Sequence, residues 1–152
     1  YSGTVAGAVE GYIFGVDSIA FSQIDGGWVE LDAAAEIVAR LTARFLAARR
    51  PGDPAALLNV NMPNMPLAAV AGVMTTRLGR RHAAGGMRHE RVEDNRYVCK
   101  LGPAGLPRDE APGTDFWATS RGYVSVSPLQ IDLTAHERVA ATALWASGRL
   151  DG

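Results

Sequence analysis

Apolar residues recur with the period of a helix in some segments and with the period of a strand in others. The first segment places apolar side chains at i, i+4, i+7 and i+8, which forms one face of a helix: Val5, Val9, Tyr12 and Ile13. Ser2 is a residue type that favours the N-cap, and Gly15 stands where a helix would end. Residues 18–24 then predict a short buried strand, closed by the turn residues 25–27.

The next two segments continue the alternation of helix and strand. Residues 32–49 predict a long helix that Asp32 can cap. Its apolar stripe contains Ile37, Val38, Leu41, Phe45 and Leu46. Residues 57–61 predict a buried strand that is closed by Pro63 and Pro66. Strands that alternate with helices imply an α/β fold with a parallel sheet covered on both faces.

A different pattern follows in the middle of the chain. Residues 72–78 and 97–101 both have strand-like composition, and the stretch between them, 79–96, is polar and rich in arginine. We therefore expect a hairpin with a long polar tip, a feature that often serves as an interaction arm.

The last third predicts one more strand and one more helix. Residues 122–129 alternate apolar and small polar side chains, as a half-buried strand does. Thr134 and Glu137 match a capping box. The helix that they would open runs to about Ser147, with an apolar side made of Val139, Ala140, Ala143 and Leu144.

The length, net charge and cysteine content of the chain indicate which partners and which cellular compartment to expect. The 152 residues suffice for one domain with a core, and the formal net charge of −1 gives no global field that would attract a nucleic-acid duplex or an anionic membrane. Cys99 is the single cysteine, which excludes an intrachain disulfide and fits a reducing compartment. No apolar run approaches the length of a membrane span. We expect a cytoplasmic protein without nucleic-acid or membrane partners.

The start of the first helix is the strongest candidate for chemistry. A helix that opens with Ser2, Gly3 and Thr4 presents free backbone N–H groups and a positive dipole end, which together favour an anion such as phosphate. The alternative is that Ser2 and Thr4 only cap the helix.

Three other polar residues have both a catalytic and a structural interpretation. Asp132 precedes His136 by four residues, so a hydrogen bond between them could serve catalysis or could fix the start of the last helix; we favour the structural role. Asp115 follows a Gly-Thr pair and could be a general acid or base, but that position is more typical of a turn or cap. His82 and His89 match no metal-binding spacing.

Five segments, in order along the chain, resemble the SurE family, the survival-protein E nucleotidases. They are residues 1–5 with 10–11 (YSGTV and EG), 58–63 (LNVNMP), 76–81 (TRLGRR), 113–116 (GTDF), and 122–129 with 132–136 (GYVSVSPL and DLTAH).

The resemblance implies a metal-dependent phosphatase that removes phosphate from nucleoside 5′- or 3′-monophosphates with Mg²⁺ or Mn²⁺. It also implies a Rossmann-like α/β parallel-sheet core, a protruding hairpin arm, and a swapped C-terminal helix in a homodimer or homotetramer. Ser2, Gly3 and Thr4 would face the phosphate, whereas Asp115, Asp132 and His136 would be structural residues near the site or the swap. A single domain, 1–152, would comprise the core (1–72), arm (73–101), loop and strands (102–133) and last helix (134–148).

Two departures from the family pattern shape these expectations. The family's metal ligands come from an N-D-D-G motif, an S-G loop and a G-x-N-x-G loop, all of which would precede Tyr1. We therefore expect the C-terminal part of such an enzyme, with no metal ligand in this sequence. The hairpin residues 93–96 and 98–102 also differ from the D-P-R-G and Y-W-I-G of many members. The alternatives are an oligomerisation module without catalysis and a nucleotide binder without turnover.

Overall fold

The computed structural model describes residues 3–24, 27, 29–83, 85–100 and 102–148. The helices are α1 (Gly3–Ile13), α2 (Leu31–Ala48), α3 (Asp115–Ser120) and α4 (Val139–Ala146), with 3₁₀ turns at Leu67–Ala69 and His136–Arg138. The strands are β1 (Ser18–Gln23), β2 (Leu57–Met62), β3 (Gly72–Thr75), β4 (Arg88–Glu93), β5 (Arg96–Lys100) and β6 (Tyr123–Pro128).

The main sheet has the strand order β1-β2-β6-β3. β1 and β2 are parallel, as the alternation of helix and strand predicts, and Ser18 lies opposite Leu57. β6 runs antiparallel to β2, and β3 runs parallel to β6. The sheet is therefore mixed, because the apolar alternation in β6 indicates which side chains are buried but does not indicate the direction of the strand.

The two faces of this sheet differ in chemistry. One face is apolar and packs against α2, where Ala34 and Ile37 meet Val60, Met62 and Val124 in the core. Since side chains alternate along a strand, the neighbouring positions lie on the opposite face, and most of them are small and polar: Ser22, Asn59, Asn61, Ser125 and Ser127. α1 contacts β1 and β2, and α3 contacts β6 and β2. We call this opposite face the polar face.

Buried hydroxyl groups on the polar face satisfy one another near β3. The Thr76 hydroxyl lies 2.7 Å from the Ser125 hydroxyl and 2.7 Å from the Ser127 hydroxyl. All three residues are buried. Because an unpaired hydroxyl would be costly in this setting, the cluster keeps this part of the polar face stable without apolar packing.

The hairpin forms from other strands than the sequence pattern predicts. β4 pairs with β5, so that Arg88 lies opposite Lys100. This hairpin is shorter than the predicted arm, 73–101, and from here on the arm means residues 88–100. Residues 72–78, predicted as its first strand, instead contribute β3 to the main sheet. The prediction was wrong because β4 is charged at most positions, with Val92 as its one aliphatic residue, and so lacks the alternation that marks a strand.

Two predicted helix starts also differ from the structure. Glu30, not Asp32, occupies the N-cap of α2, and Asp32 lies in the first turn. The capping box of Thr134 and Glu137 does not form, since the Thr134 N–H donates to Asp132 Oδ1 at 2.8 Å and the chain enters a 3₁₀ turn first. Every residue of α4 is exposed, including its predicted apolar side. The swap of this helix stays a prediction.

Helices long and apolar enough to cross a membrane are absent from the described ranges.

Burial differs sharply along α2, which allows a matched test of the core. Ile37 is 6% exposed and Leu46 is 63% exposed on the same helix. We expect Ile37→Ala to lower the free energy of unfolding by about 3 kcal/mol, because it leaves a cavity against Val60. Leu46→Ala should cost roughly 0.5 kcal/mol or less. Urea unfolding of both variants checks this expectation, and equal losses would contradict the assignment of the core face.

Candidate active-site groove

A groove of about 740 Å³ opens on the polar face, between α1 and α3. Its floor contains Ser22 from β1 and Asn59 and Asn61 from β2. Val5 contributes from α1. The remaining wall residues come from the start of α3 and from the segments that flank the arm, and they include Leu78, Gly79, Arg81, Pro107, Glu110, Asp115, Phe116 and Thr119.

The floor is made of neutral groups that can both donate and accept hydrogen bonds. The parallel register places Ser22 directly opposite Asn61, and Asn59 lies two residues earlier on the same face. Asn59 is only 6% exposed. Within the described part of the chain, none of these three side chains makes a hydrogen bond. The groove therefore presents unpaired polar groups at its base.

Three hydrogen bonds hold the wall at α3 in place. Thr114 is the N-cap, and its hydroxyl accepts from the Trp117 N–H at 3.1 Å. The buried Asp115 carboxylate accepts from the Gly79 N–H at 2.7 Å and from the Phe116 N–H at 2.9 Å. Asp115 therefore lines the groove and ties the segment that leads into the arm to the start of α3.

Charged side chains reinforce the same junction from outside. Arg77 pairs with Asp109 at 2.7 Å. The hydrogen bond from Arg77 holds the pKa of the Asp109 carboxyl below its usual range, with a further contribution from the Ala111 N–H. The same hydrogen bond raises the pKa of Arg77. The Arg81 guanidinium lies 4.7 Å from the centre of the Phe116 ring, so it covers one aromatic wall of the groove.

Asp132 and His136 form the hydrogen bond that their spacing suggests, but neither residue lines the groove. His136 Nε2 lies 2.6 Å from Asp132 Oδ2, and both side chains are exposed. This contact, together with hydrogen bonds from Thr134, holds the pKa of Asp132 below its usual value. The pair fixes the turn that precedes α4.

The phosphate-binding candidates Gly3 and Thr4 lie beside the groove, since they precede Val5 in α1. The sequence analysis did not identify the residues of the groove floor. Gly3 and Thr4 are the first two residues of α1. Ser2, the third candidate, lies outside the described residues. The missed signal was the pair of asparagines at alternating positions of the buried strand β2. The two asparagines form a site only together with Ser22 on β1, and the register that brings these residues together cannot be read from the sequence.

Comparison with known proteins identifies the family. The family model described as "Survival protein SurE" matches residues 1–85, which is more than half of the chain. The chain belongs to the SurE family. The crystal structure of the SurE protein from Aquifex aeolicus shares 33% sequence identity with it at a TM-score of 0.72. The match covers 97% of this chain and 58% of the Aquifex chain, so this chain spans about three fifths of that relative. The Rossmann-like α/β core that the resemblance implied is confirmed.

The SurE family generally uses a divalent metal, and the residues described here do not form a site for one. Among them, no three His, Cys, Asp or Glu side chains lie together as metal ligands. Asp115 and Glu110 are the acids that line the groove, and one oxygen of Asp115 already accepts two N–H groups. We therefore assign no metal-dependent step to these residues.

Gly79 allows a close approach that a larger residue in this SurE chain would prevent. A Cβ atom at this position would overlap the Phe116 ring and lie 2.7 Å from the Asp109 backbone oxygen. We expect Gly79→Ala to lower the free energy of unfolding by about 2 kcal/mol, because the backbone oxygen cannot move aside cheaply.

Gly86 provides the matched control for this prediction. A Cβ atom there has no neighbour within 4 Å among the described residues, so Gly86→Ala should change stability by less than about 0.5 kcal/mol. Urea unfolding of both variants decides the matter. Equal stability of the two would show that the junction at Asp115 is looser than the structure indicates.

Proposed function

We propose that the protein is a metal-dependent phosphomonoesterase that removes phosphate from nucleoside 5′- or 3′-monophosphates. Family membership supports a phosphatase of the nucleotidase type. The structural observation that carries the proposal is the position of the groove, which brings the first turn of α1 beside a polar floor. The start of a helix suits the phosphate, and a polar floor suits the rest of a nucleotide.

In this proposal the phosphate binds at the start of α1. The free backbone N–H groups of Gly3 and Thr4 donate to its oxygens, and the helix dipole favours its negative charge. The Thr4 hydroxyl adds a donor at the same place, and Ser2, which lies outside the described residues, is proposed to bind the phosphate as well. Such fixed donors stabilise the charge that develops on the equatorial oxygens during hydrolysis. Mg²⁺ or Mn²⁺ would supply electrophilic assistance when bound.

The other proposed residues have structural roles, and among these described residues only Asp115 lines the groove. Asp115 holds Gly79 and the start of α3 in place. Asp132 and His136 hold the turn before α4. None of the three is proposed to contact the phosphate.

The proposal predicts a specific loss of turnover on changing Thr4. In the complete enzyme, we expect Thr4→Ala to lower kcat for AMP by about tenfold, because one hydrogen bond to the transition state is lost. Stability should change little, since Thr4 is exposed. Release of inorganic phosphate measures kcat, and thermal unfolding measures stability.

Two controls accompany the Thr4 experiment. Thr142→Ala changes an exposed threonine of α4, and its kcat should equal that of the parent. A chelator should abolish activity, and added Mn²⁺ should restore it. Equal turnover of Thr4→Ala and the parent would rule out the phosphate-binding role. Binding of AMP under chelator, with no phosphate release in any condition, would favour a nucleotide binder instead.

A second candidate, an oligomerisation module without catalysis, is favoured by the exposed surfaces of the arm and of α4. Every residue of β4 and β5 is exposed, and so are Leu144 and Trp145. Apolar side chains of this size at the surface are typical of contacts with another subunit. We propose that a homodimer or homotetramer uses both features.

Shortening the arm tests the assembly. Arg88 lies opposite Lys100, so two glycines can replace residues 89–99 and join these two positions in a tight turn. We expect a lower mass in light scattering because the exposed arm surface is lost. Replacing Asp94 and Asn95 at the arm tip with two glycines is the control, and it should keep the parent mass. An unchanged mass after removal of the arm would contradict its role.

A further inference from the structure

The floor of the groove contains an asparagine whose amide faces the groove and has no hydrogen-bond partner among the described residues. Asn59 is 6% exposed and lines the groove. Its side chain makes no hydrogen bond within the described part of the chain. Among the described residues, the buried side-chain atom without a partner is Gln23 Oε1 and not an atom of Asn59, so the Asn59 amide faces the open space of the groove. A ligand that offers both a donor and an acceptor can pair with this amide there.

Side chains without hydrogen-bond partners among the described residues line the groove, whereas the neighbouring serines on the polar face have partners. Ser127 lies opposite Asn59 on β6, and Ser125 lies opposite Asn61. Both serines are buried and both contact the Thr76 hydroxyl at 2.7 Å. Of the paired side chains on β2 and β6, the serines on β6 therefore have hydrogen-bond partners, whereas the asparagines on β2, which line the groove, have none among the described residues.

The charges around the groove indicate which part of a ligand the floor can bind. Among the described lining residues, Arg81 is the cation, and Glu110 and Asp115 are the acids. Ser22, Asn59 and Asn61 are neutral. A floor without positive charge, beside two acids, does not suit a phosphate. It suits a neutral group with several hydrogen-bond donors and acceptors.

A nucleoside has that chemistry. An asparagine amide presents a donor and an acceptor side by side, which complements the edge of a base. A serine hydroxyl can donate or accept and pairs well with sugar hydroxyls. Phe116 also lines the groove and adds apolar surface beside these polar groups.

We propose that Ser22, Asn59 and Asn61 bind the nucleoside part of the substrate and thereby set the preference for nucleotides over other phosphate esters. The inference rests on the proposed phosphatase function, with the phosphate at the start of α1. Asn59, as the most buried of the three, contributes most.

Comparison of two substrates tests this inference. AMP carries a nucleoside, and p-nitrophenyl phosphate carries only an apolar ring. In the complete enzyme, Asn59→Ala should lower kcat/KM for AMP by about tenfold through a higher KM, and should change kcat/KM for p-nitrophenyl phosphate by less than about twofold. Equal losses with both substrates, or no loss with either, would overturn the proposal.

Ser127→Ala is the matched control. It removes a buried polar group from the same row of the sheet but does not touch the groove. It should alter stability without changing the ratio of the two substrates. Should Asn59→Ala fail to fold, Asn61→Ala provides the same comparison at a less buried position.

A binding measurement separates this inference from the proposed activity. Titration with adenosine, which lacks a phosphate, is followed by calorimetry with the metal chelated. We expect the parent to bind and Asn59→Ala to bind about tenfold more weakly. Hydrolysis of both substrates without adenosine binding would leave the phosphatase standing and overturn the nucleoside site. Adenosine binding that is lost in Asn59→Ala, without hydrolysis of either substrate, would support the site and refute the phosphatase.

Discussion

The alternation of side chains along β2 is the constraint on which the rest of the structure depends. Val60 and Met62 point into the apolar core against α2, whereas Asn59 and Asn61 point to the polar face. β2 pairs with a strand on each side, so its pleat sets the register of both neighbours. A shift of one residue would bring the asparagines into the core and the apolar residues into the groove. The stability of the core and the chemistry of the groove therefore both depend on the six residues of β2, Leu57–Met62.

The polar face is closed in two ways, and the groove lies between them. Near β3 the hydroxyls of Thr76, Ser125 and Ser127 pair with one another. At the other side α1 covers β1 and β2. Between these regions the wall depends on Asp115, which joins Gly79 to the start of α3. The groove is thus the part of the polar face where the described side chains neither pair with neighbouring hydroxyls nor are covered by a helix.

Local patterns predicted the elements whose burial follows a regular period. α2 has an apolar stripe, and β1 and β2 are short apolar runs between turn residues, so all three were recognised with bounds close to those observed. β4 was missed because its charged side chains all face solvent and leave no apolar period. The antiparallel direction of β6 depends on its packing partners, which no local period reports.

The candidate site was predictable only where one continuous segment contains it. The first turn of α1 became a candidate because capping residues and a glycine stand together in sequence, and its role as a phosphate site stays a prediction. The groove floor joins β1 to β2, and its wall joins Gly79 to Asp115. These contacts arise only after the sheet has formed. Gly79 carries no local signal, since the atoms that exclude a side chain there belong to Asp109 and Phe116.

The arm has a consequence for how evenly stability is distributed over the chain. A two-stranded hairpin that buries no face is marginal in water. Its side-chain contacts include ion pairs at the surface, such as Arg96 with Glu93 and Lys100 with Glu90, and salt weakens such pairs. In the isolated chain we therefore expect the arm to open at a lower free energy than the main sheet. The order of the arm there would depend on ionic strength, and contact with another subunit would remove that dependence.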